Sequence, residues 1–175
     1  MSDEILALPY PKYKLAIPAL LTLNVFAYAI LDTWVSAVDA LVWLVLLVMF
    51  ELETINASPL SARILHQVRN ALIAVIVLVL VIYIHDSEWL DVSNSMLWFA
   101  VIALLELEVR WPDKVQKYEQ AFWLTTIAVF TGLIGLVGAW IWQANWLDAY
   151  DAALWIAAFA VIELDIFRFL KRKRD

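Results

Sequence analysis

Apolar residues fall into six segments along the chain, separated by short polar connections. The segments lie near residues 15–31, 37–53, 71–84, 94–109, 121–142 and 150–167. A membrane core about 30 Å thick is crossed by roughly 20 helical residues, or by fewer where the bilayer thins. The pattern therefore predicts an all-α integral membrane protein with six transmembrane helices, several of them short.

One sequence signature recurs in every second apolar segment. It reads W-x4-[DN]-x3-W-x7-E-L-[ED] and begins at Trp34, Trp89 and Trp146, with offsets of 55 and 57 residues. Self-similarity at a nearly fixed period is typical of repeated structural units. We therefore predict a single membrane domain, residues 1–175, in which three tandem helical hairpins surround a pseudo-threefold axis. The hairpins are expected at about 14–54, 64–110 and 115–168.

The sign of the charge alternates from one connection to the next. The chain is 65% hydrophobic and 17% charged, with a net charge of −6 and no cysteine, which excludes disulfides and thiolate metal sites. Its basic residues are Lys12, Lys14, Arg63, Arg69, Arg110, Lys114, Lys117, Arg168, Lys171, Arg172, Lys173 and Arg174. The first, third and fifth connections contain no Lys or Arg and instead hold the acidic residues Asp32, Asp39, Asp86, Glu88, Asp91, Asp148 and Asp151. By the positive-inside rule, this multi-pass protein has both termini in the cytoplasm.

Tryptophan occupies two positions of the repeated signature. Trp34, Trp89 and Trp146 open it at the non-cytoplasmic side, and Trp43, Trp98 and Trp155 follow about two turns further in. Tryptophan concentrates at the membrane interface because its ring is apolar while its N–H needs a polar partner. An aromatic belt is the simpler interpretation, and an inner ring of tryptophans that lines a pathway is the alternative.

Asp39, Asn94 and Asp151 share one repeat position near the starts of the even-numbered helices. Such side chains cap helices and are favourable at the positive end of the helix dipole. We expect capping, with cation binding as the alternative.

Two acidic residues close each copy of the signature. The first acids are Glu51, Glu106 and Glu163, and the second acids are Glu53, Glu108 and Asp165. Asp39 and Glu51 are separated by about 18 Å of helix, less than the membrane thickness, so the closing acids are expected to dip into the inner leaflet. Residues two apart differ by about 200° around a helix, and we expect the first acid to face the interior and the second the headgroups.

These closing acids allow two interpretations. They can form ion pairs with the basic cytoplasmic segments and lock the hairpins together. Alternatively, Glu51, Glu106 and Glu163 can form a carboxylate ring that binds a hard cation, namely H⁺, Na⁺, Mg²⁺, Ca²⁺ or Mn²⁺. Their neighbours Glu53, Glu108 and Asp165, together with Asp39, Asn94 and Asp151, would be secondary site residues.

The fifth apolar segment contains every glycine of the chain: Gly132, Gly135 and Gly138. Small residues at spacings of three and four allow membrane helices to approach closely. The spacing predicts a packing face, on which Gly135→Leu should be more damaging than Leu133→Ala.

The sequence favours a small cation channel, transporter or exchanger over a non-catalytic accessory subunit of a larger membrane complex. No phosphate-binding loop, nucleophile elbow or metalloprotease motif occurs, so an enzyme is not favoured. The expected partners are the lipid bilayer and either another membrane protein or a second copy of the chain. A nucleic-acid partner is not expected, because a basic cluster directly after a membrane helix is typical of contact with anionic lipid.

Overall fold

A computed structural model describes residues 12–54 and 62–172, and it describes the side chains of residues 16–49, 63–108 and 110–160. Within these ranges the chain forms α-helices and no β-strand. The helices are α1 (Lys12–Leu31), α2 (Trp34–Thr54), α3 (Ala62–Asp86), α4 (Trp89–Arg110), α5 (Pro112–Lys117), α6 (Glu119–Trp142) and α7 (Trp146–Arg172). The short helix α5 was not predicted from the apolar pattern, because its sequence is polar.

Three helical stretches are long and apolar enough to cross a membrane: Arg63–Asp86, Trp89–Glu108 and Glu119–Trp142. A stretch of 24 residues, such as the first, is about 36 Å long at 1.5 Å per residue, which exceeds a hydrocarbon core of about 30 Å. Large apolar side chains such as Leu124 and Ile134 are exposed along the last of these stretches. Exposed apolar surface of this extent is what a membrane-embedded helix presents to lipid.

Two of the helix connections have the same backbone geometry. At the end of α3, the Ser87 N–H donates to the Ile84 carbonyl and the Glu88 N–H donates to the Tyr83 carbonyl. At the end of α6, Ala144 and Asn145 donate in the same way to Ile141 and Trp140. This is the Schellman pattern, which satisfies the last carbonyls of a helix and requires a left-handed residue.

The left-handed residues are Ser87, with φ 64°, and Ala144, with φ 61°. Glycine usually occupies this position, because a β-carbon in the left-handed region costs about 1–2 kcal/mol. Both residues stand two positions before the tryptophan that opens a copy of the sequence signature. The two connections thus have the same backbone conformation at equivalent positions before the signature.

The chain divides into two compact units, Met1–Leu72 and Ile73–Asp175. In the first unit α1 packs against α2. The buried residues of α1 are Leu21, Asn24 and Tyr28, whose spacing of three and four places them on one face of the helix. This is therefore the buried face of α1.

In the second unit α6 packs against both α4 and α7. Near the α6–α7 connection, Trp140 of α6 and Ala149 and Ala152 of α7 form a buried cluster, and Leu90 of α4 packs against it. Further along, the ring of Trp98 on α4 contacts the ring of Trp155 on α7. The side chains of Trp98 and Trp155 therefore join α4 to α7, the two helices that also pack on α6.

The glycine face of α6 was assigned wrongly from the sequence. A β-carbon added to Gly132 would approach the side chain of Leu97 to 3.1 Å, whereas one added to Gly135 or Gly138 would meet no atom within 4 Å. Leu133, in contrast, is buried. Among the described residues, Gly132 is therefore the one glycine at a close contact between helices, and the buried face of α6 includes Leu133.

Candidate functional site

The repeated Asp or Asn position lies inside the helices rather than at their caps. Because α2, α4 and α7 begin at Trp34, Trp89 and Trp146, Asp39, Asn94 and Asp151 are each the sixth helical residue. A capping side chain precedes the first turn and bonds to a backbone N–H two or three residues later. In α2 that role belongs to Thr33, whose Oγ1 accepts a hydrogen bond from the Ser36 N–H at 3.1 Å. The N-cap position of α4 is Glu88, so the capping interpretation is wrong.

Asp39, Asn94 and Asp151 are all half-buried. Asn94 and Asp151 each lie one turn before a tryptophan of the contacting pair Trp98 and Trp155. Residues four apart share a helix face, so both polar groups lie on the side that faces the neighbouring helix. Two half-buried polar side chains thus lie one helical turn from the contact of Trp98 with Trp155.

The side-chain amide oxygen of Asn94 is unusual because it is buried and accepts no hydrogen bond from any described residue. A buried acceptor without a donor costs roughly 1–3 kcal/mol, so it needs a compensating donor or cation.

The two tryptophan positions differ in their surroundings. The outer residues Trp34, Trp89 and Trp146 are between 63% and 71% exposed, as expected for rings at a membrane interface. Of the inner residues, Trp98 and Trp155 are only 5% and 7% exposed, and their ring centroids are 6.2 Å apart in an edge-to-face arrangement. Trp43 is half-buried. Trp98 and Trp155 thus belong to the helix contact, not to the outer belt.

Glu106 is the one first acid of the signature whose side chain is described. Its carboxylate forms an ion pair with the guanidinium of Arg110, one turn later on α4, and the Glu106 side chain is 52% exposed. Glu108 is exposed as well. The two acids were expected to differ, with Glu106 in the interior. In the structure both side chains are exposed.

The other closing acids lie outside the described side chains, although the helices α2 and α7 include their backbone. They are Glu51, Glu53, Glu163 and Asp165. Among the described residues, no group of three or more His, Cys, Asp or Glu side chains is placed to hold a metal ion. The carboxylate ring therefore remains a prediction from the sequence.

Comparison with known proteins assigns no family. No protein-family model, curated protein or solved structure matches the chain. The chemistry of the described side chains is consequently what supports a function.

Two buried or contacting residues near this site were missed by sequence reasoning. Phe159 lies with its ring centroid 4.9 Å from that of Trp98, and Ser95 is buried beside Asn94. A signal for Ser95 was present, because a small residue follows the Asp or Asn in each copy of the signature: Ala40, Ser95 and Ala152. No comparable signal exists for Phe159, since the matching positions in the other copies are Leu47 and Ile102.

Proposed function

We propose that the chain is a multi-pass membrane protein of six spans, built as three tandem hairpins with both termini in the cytoplasm. Matched burial along α2, α4 and α7 supports the repeat. The seventh helical residue is buried in each of them, and the eighth is exposed in each of them. The positions are Ala40, Ser95 and Ala152, and then Leu41, Met96 and Ala153.

Accessibility reporters test this topology. Reporters inserted near Ala57 and Asp113 should read cytoplasmic, and those near Asp91 and Asp148 should read external, because all basic residues lie on one side. Insertions that leave the protein at its normal level in the membrane provide the control. A cytoplasmic reading at Asp91 would exclude six spans.

We further propose that the protein is a non-catalytic accessory or assembly subunit of a membrane complex, with its closing carboxylates in structural ion pairs. The observation that carries this proposal is the ion pair between Glu106 and Arg110. A guanidinium beside this carboxylate disfavours cation binding there, because the bound cation would lie close to a like charge. The connections Asp32–Thr33 and Ser87–Glu88 add little extramembrane mass, so the protein has to act mainly through its helix surfaces.

The second candidate is a cation channel, transporter or exchanger. It is favoured by the buried, unsatisfied amide oxygen of Asn94 and by the acidic residue that shares its repeat position in α7, Asp151. A ring of Glu51, Glu106 and Glu163 would then form the inner part of the pathway. Oxygen ligands of this kind suit H⁺, Na⁺, Mg²⁺, Ca²⁺ or Mn²⁺.

A cation titration separates the two candidates. The thermal unfolding of the purified full chain is followed while pH, Na⁺, Mg²⁺, Ca²⁺ and Mn²⁺ are varied one at a time. A bound cation raises the melting temperature by mass action, and the Glu→Gln variants at positions 51, 106 and 163 should lose that response. If the protein is an accessory subunit, no single cation should raise the melting temperature of the wild type specifically.

The ion pair is tested in the same preparation by a double-mutant cycle. Glu106→Gln and Arg110→Gln should each lower the free energy of unfolding by about 0.3–0.5 kcal/mol, and the double variant should lose little more than either. Glu108→Gln is the matched control, since no described cation contacts its side chain. A cation-specific shift in the wild type that vanishes in Glu106→Gln but persists in Glu108→Gln would replace the subunit proposal by the transport one.

The mass of the extracted protein tests whether it has a partner. The protein extracted from its membrane in mild detergent should have a mass above that of one chain, measured by light scattering, and should contain either a stoichiometric second membrane protein or a second copy. A monodisperse single chain in mild detergent would exclude a stable assembly.

A further inference from the structure

The first turns of α3 combine two arginines with no acidic residue. Between Arg63 and Ile84 the sequence has no Asp or Glu, and within the described residues no carboxylate contacts Arg63 or Arg69. At 100° per residue, Arg63, His66, Gln67, Arg69 and Asn70 occupy one polar arc of about 160°. The remaining side of these turns is apolar, so the start of the helix is amphipathic.

The side chain of Arg69 is held in place by His66. Its Nη2 lies 2.6 Å from Nδ1 of His66. Because arginine has no acceptor atom, Nδ1 of the histidine accepts this hydrogen bond. The contact orients the guanidinium, and among the described residues no carboxylate neutralises its charge.

The depth of Arg69 in a bilayer makes that charge costly. If the end of α3 at Asp86 lies at one boundary of the hydrocarbon core, a span of about 30 Å takes roughly 20 residues and reaches the other boundary near residue 66. Arg63 then lies outside this boundary and Arg69 about one turn inside it. An arginine at that depth needs an anion or has to extend its side chain to the headgroups.

We propose that Arg63 and Arg69 bind the phosphate of an anionic phospholipid in the cytoplasmic leaflet, with His66 as a positioning residue for Arg69. Guanidinium groups suit phosphate because they donate two parallel hydrogen bonds. The positive end of the α3 dipole adds to the attraction, since the first turn of this helix contains no acidic residue. The headgroup phosphate thereby neutralises a charge that no described carboxylate contacts.

The other described basic segment is less suited to an anion. Around α5, Arg110 is paired with Glu106. The ammonium group of Lys114 lies 5.4 Å from the centre of the Trp111 ring. That of Lys117 lies 5.4 Å from the centre of the Tyr118 ring. Carboxylates at Glu108, Asp113 and Glu119 lie among these cations in the sequence. Arg110 therefore supplies a matched arginine control on the same predicted side of the membrane.

The test uses the full chain in phosphatidylcholine nanodiscs with increasing amounts of phosphatidylglycerol, and follows the melting temperature. The wild type should gain stability as phosphatidylglycerol rises. The half-saturating fraction should be about fivefold higher in Arg63→Gln and in Arg69→Gln, and unchanged in Arg110→Gln. Inorganic phosphate, added to the wild type in phosphatidylcholine alone, should produce no shift.

Three results would overturn the proposal: an equal response in Arg69→Gln and Arg110→Gln, an equal stability of the wild type in both lipids, or a full response to inorganic phosphate. If Arg69→Gln does not fold, the proposal is tested by the effect of salt on the wild type and on Arg63→Gln. Added NaCl should then raise the half-saturating fraction of the wild type more than that of Arg63→Gln, because fewer charges remain to be screened.

Discussion

Trp98→Ala should lower the free energy of unfolding by about 3–5 kcal/mol, the usual cost of removing a large aromatic side chain from a packed interior. Trp98 is buried and contacts both Trp155 and Phe159 of α7. Its loss opens a cavity at the level where α4 and α7 meet. Equilibrium unfolding of the purified chain in mild detergent measures the effect.

Trp89→Ala is the matched control, because Trp89 is the outer tryptophan of the same helix and is largely exposed. We expect it to change the free energy of unfolding by no more than about 0.5 kcal/mol in detergent. The double variant of Trp98→Ala and Trp155→Ala should reveal a coupling of about 1 kcal/mol. Equal losses in Trp98→Ala and Trp89→Ala would show that Trp98 does not stabilise the contact of α4 with α7.

Leu133→Ala should destabilise the protein by about 2–5 kcal/mol, whereas Gly135→Leu should leave the stability unchanged or raise it slightly. Leu133 is 1% exposed on α6, the helix that packs against both α4 and α7. The Cα of Gly135 instead faces open space within the chain, and leucine is a better helix former than glycine. Thermal unfolding of the purified protein in detergent measures both changes.

This order reverses the one predicted from the glycine spacing. Gly132→Ala is an informative third variant, because its new methyl group would press on Leu97 and the leucine side chain would have to move by a few tenths of an ångström. We expect a small loss of stability there. If Gly135→Leu were the most damaging of the three, α6 would pack in the chain through the opposite face.

Much of the local structure could be predicted from the sequence. The aligned tryptophans Trp34, Trp89 and Trp146 are the first residues of α2, α4 and α7, and the outer tryptophans are exposed as an aromatic belt requires. The apolar runs predicted helices, and three stretches are long and apolar enough to span a membrane. These features depend on the helical period and on composition, which the sequence contains directly.

The candidate site was predictable only in part. The spacing of four between Asn94 and Trp98, and between Asp151 and Trp155, placed each pair on one helix face. The sequence could not show that the two faces meet, since no periodicity relates one helix to another. It also suggested a cap at these positions, because the apolar segments began later than the helices do.

The sequence by itself determined the helical, membrane-compatible character of this protein, the repeated signature and the asymmetry of charge. The tertiary structure decided which face of α6 packs and that Trp98 and Trp155 meet. The physical reason is that a helix such as α6 is apolar on all sides, so its packed face and its exposed face look alike in sequence. In a membrane the choice between them depends on how closely side chains fit, since lipid is as apolar as the protein interior.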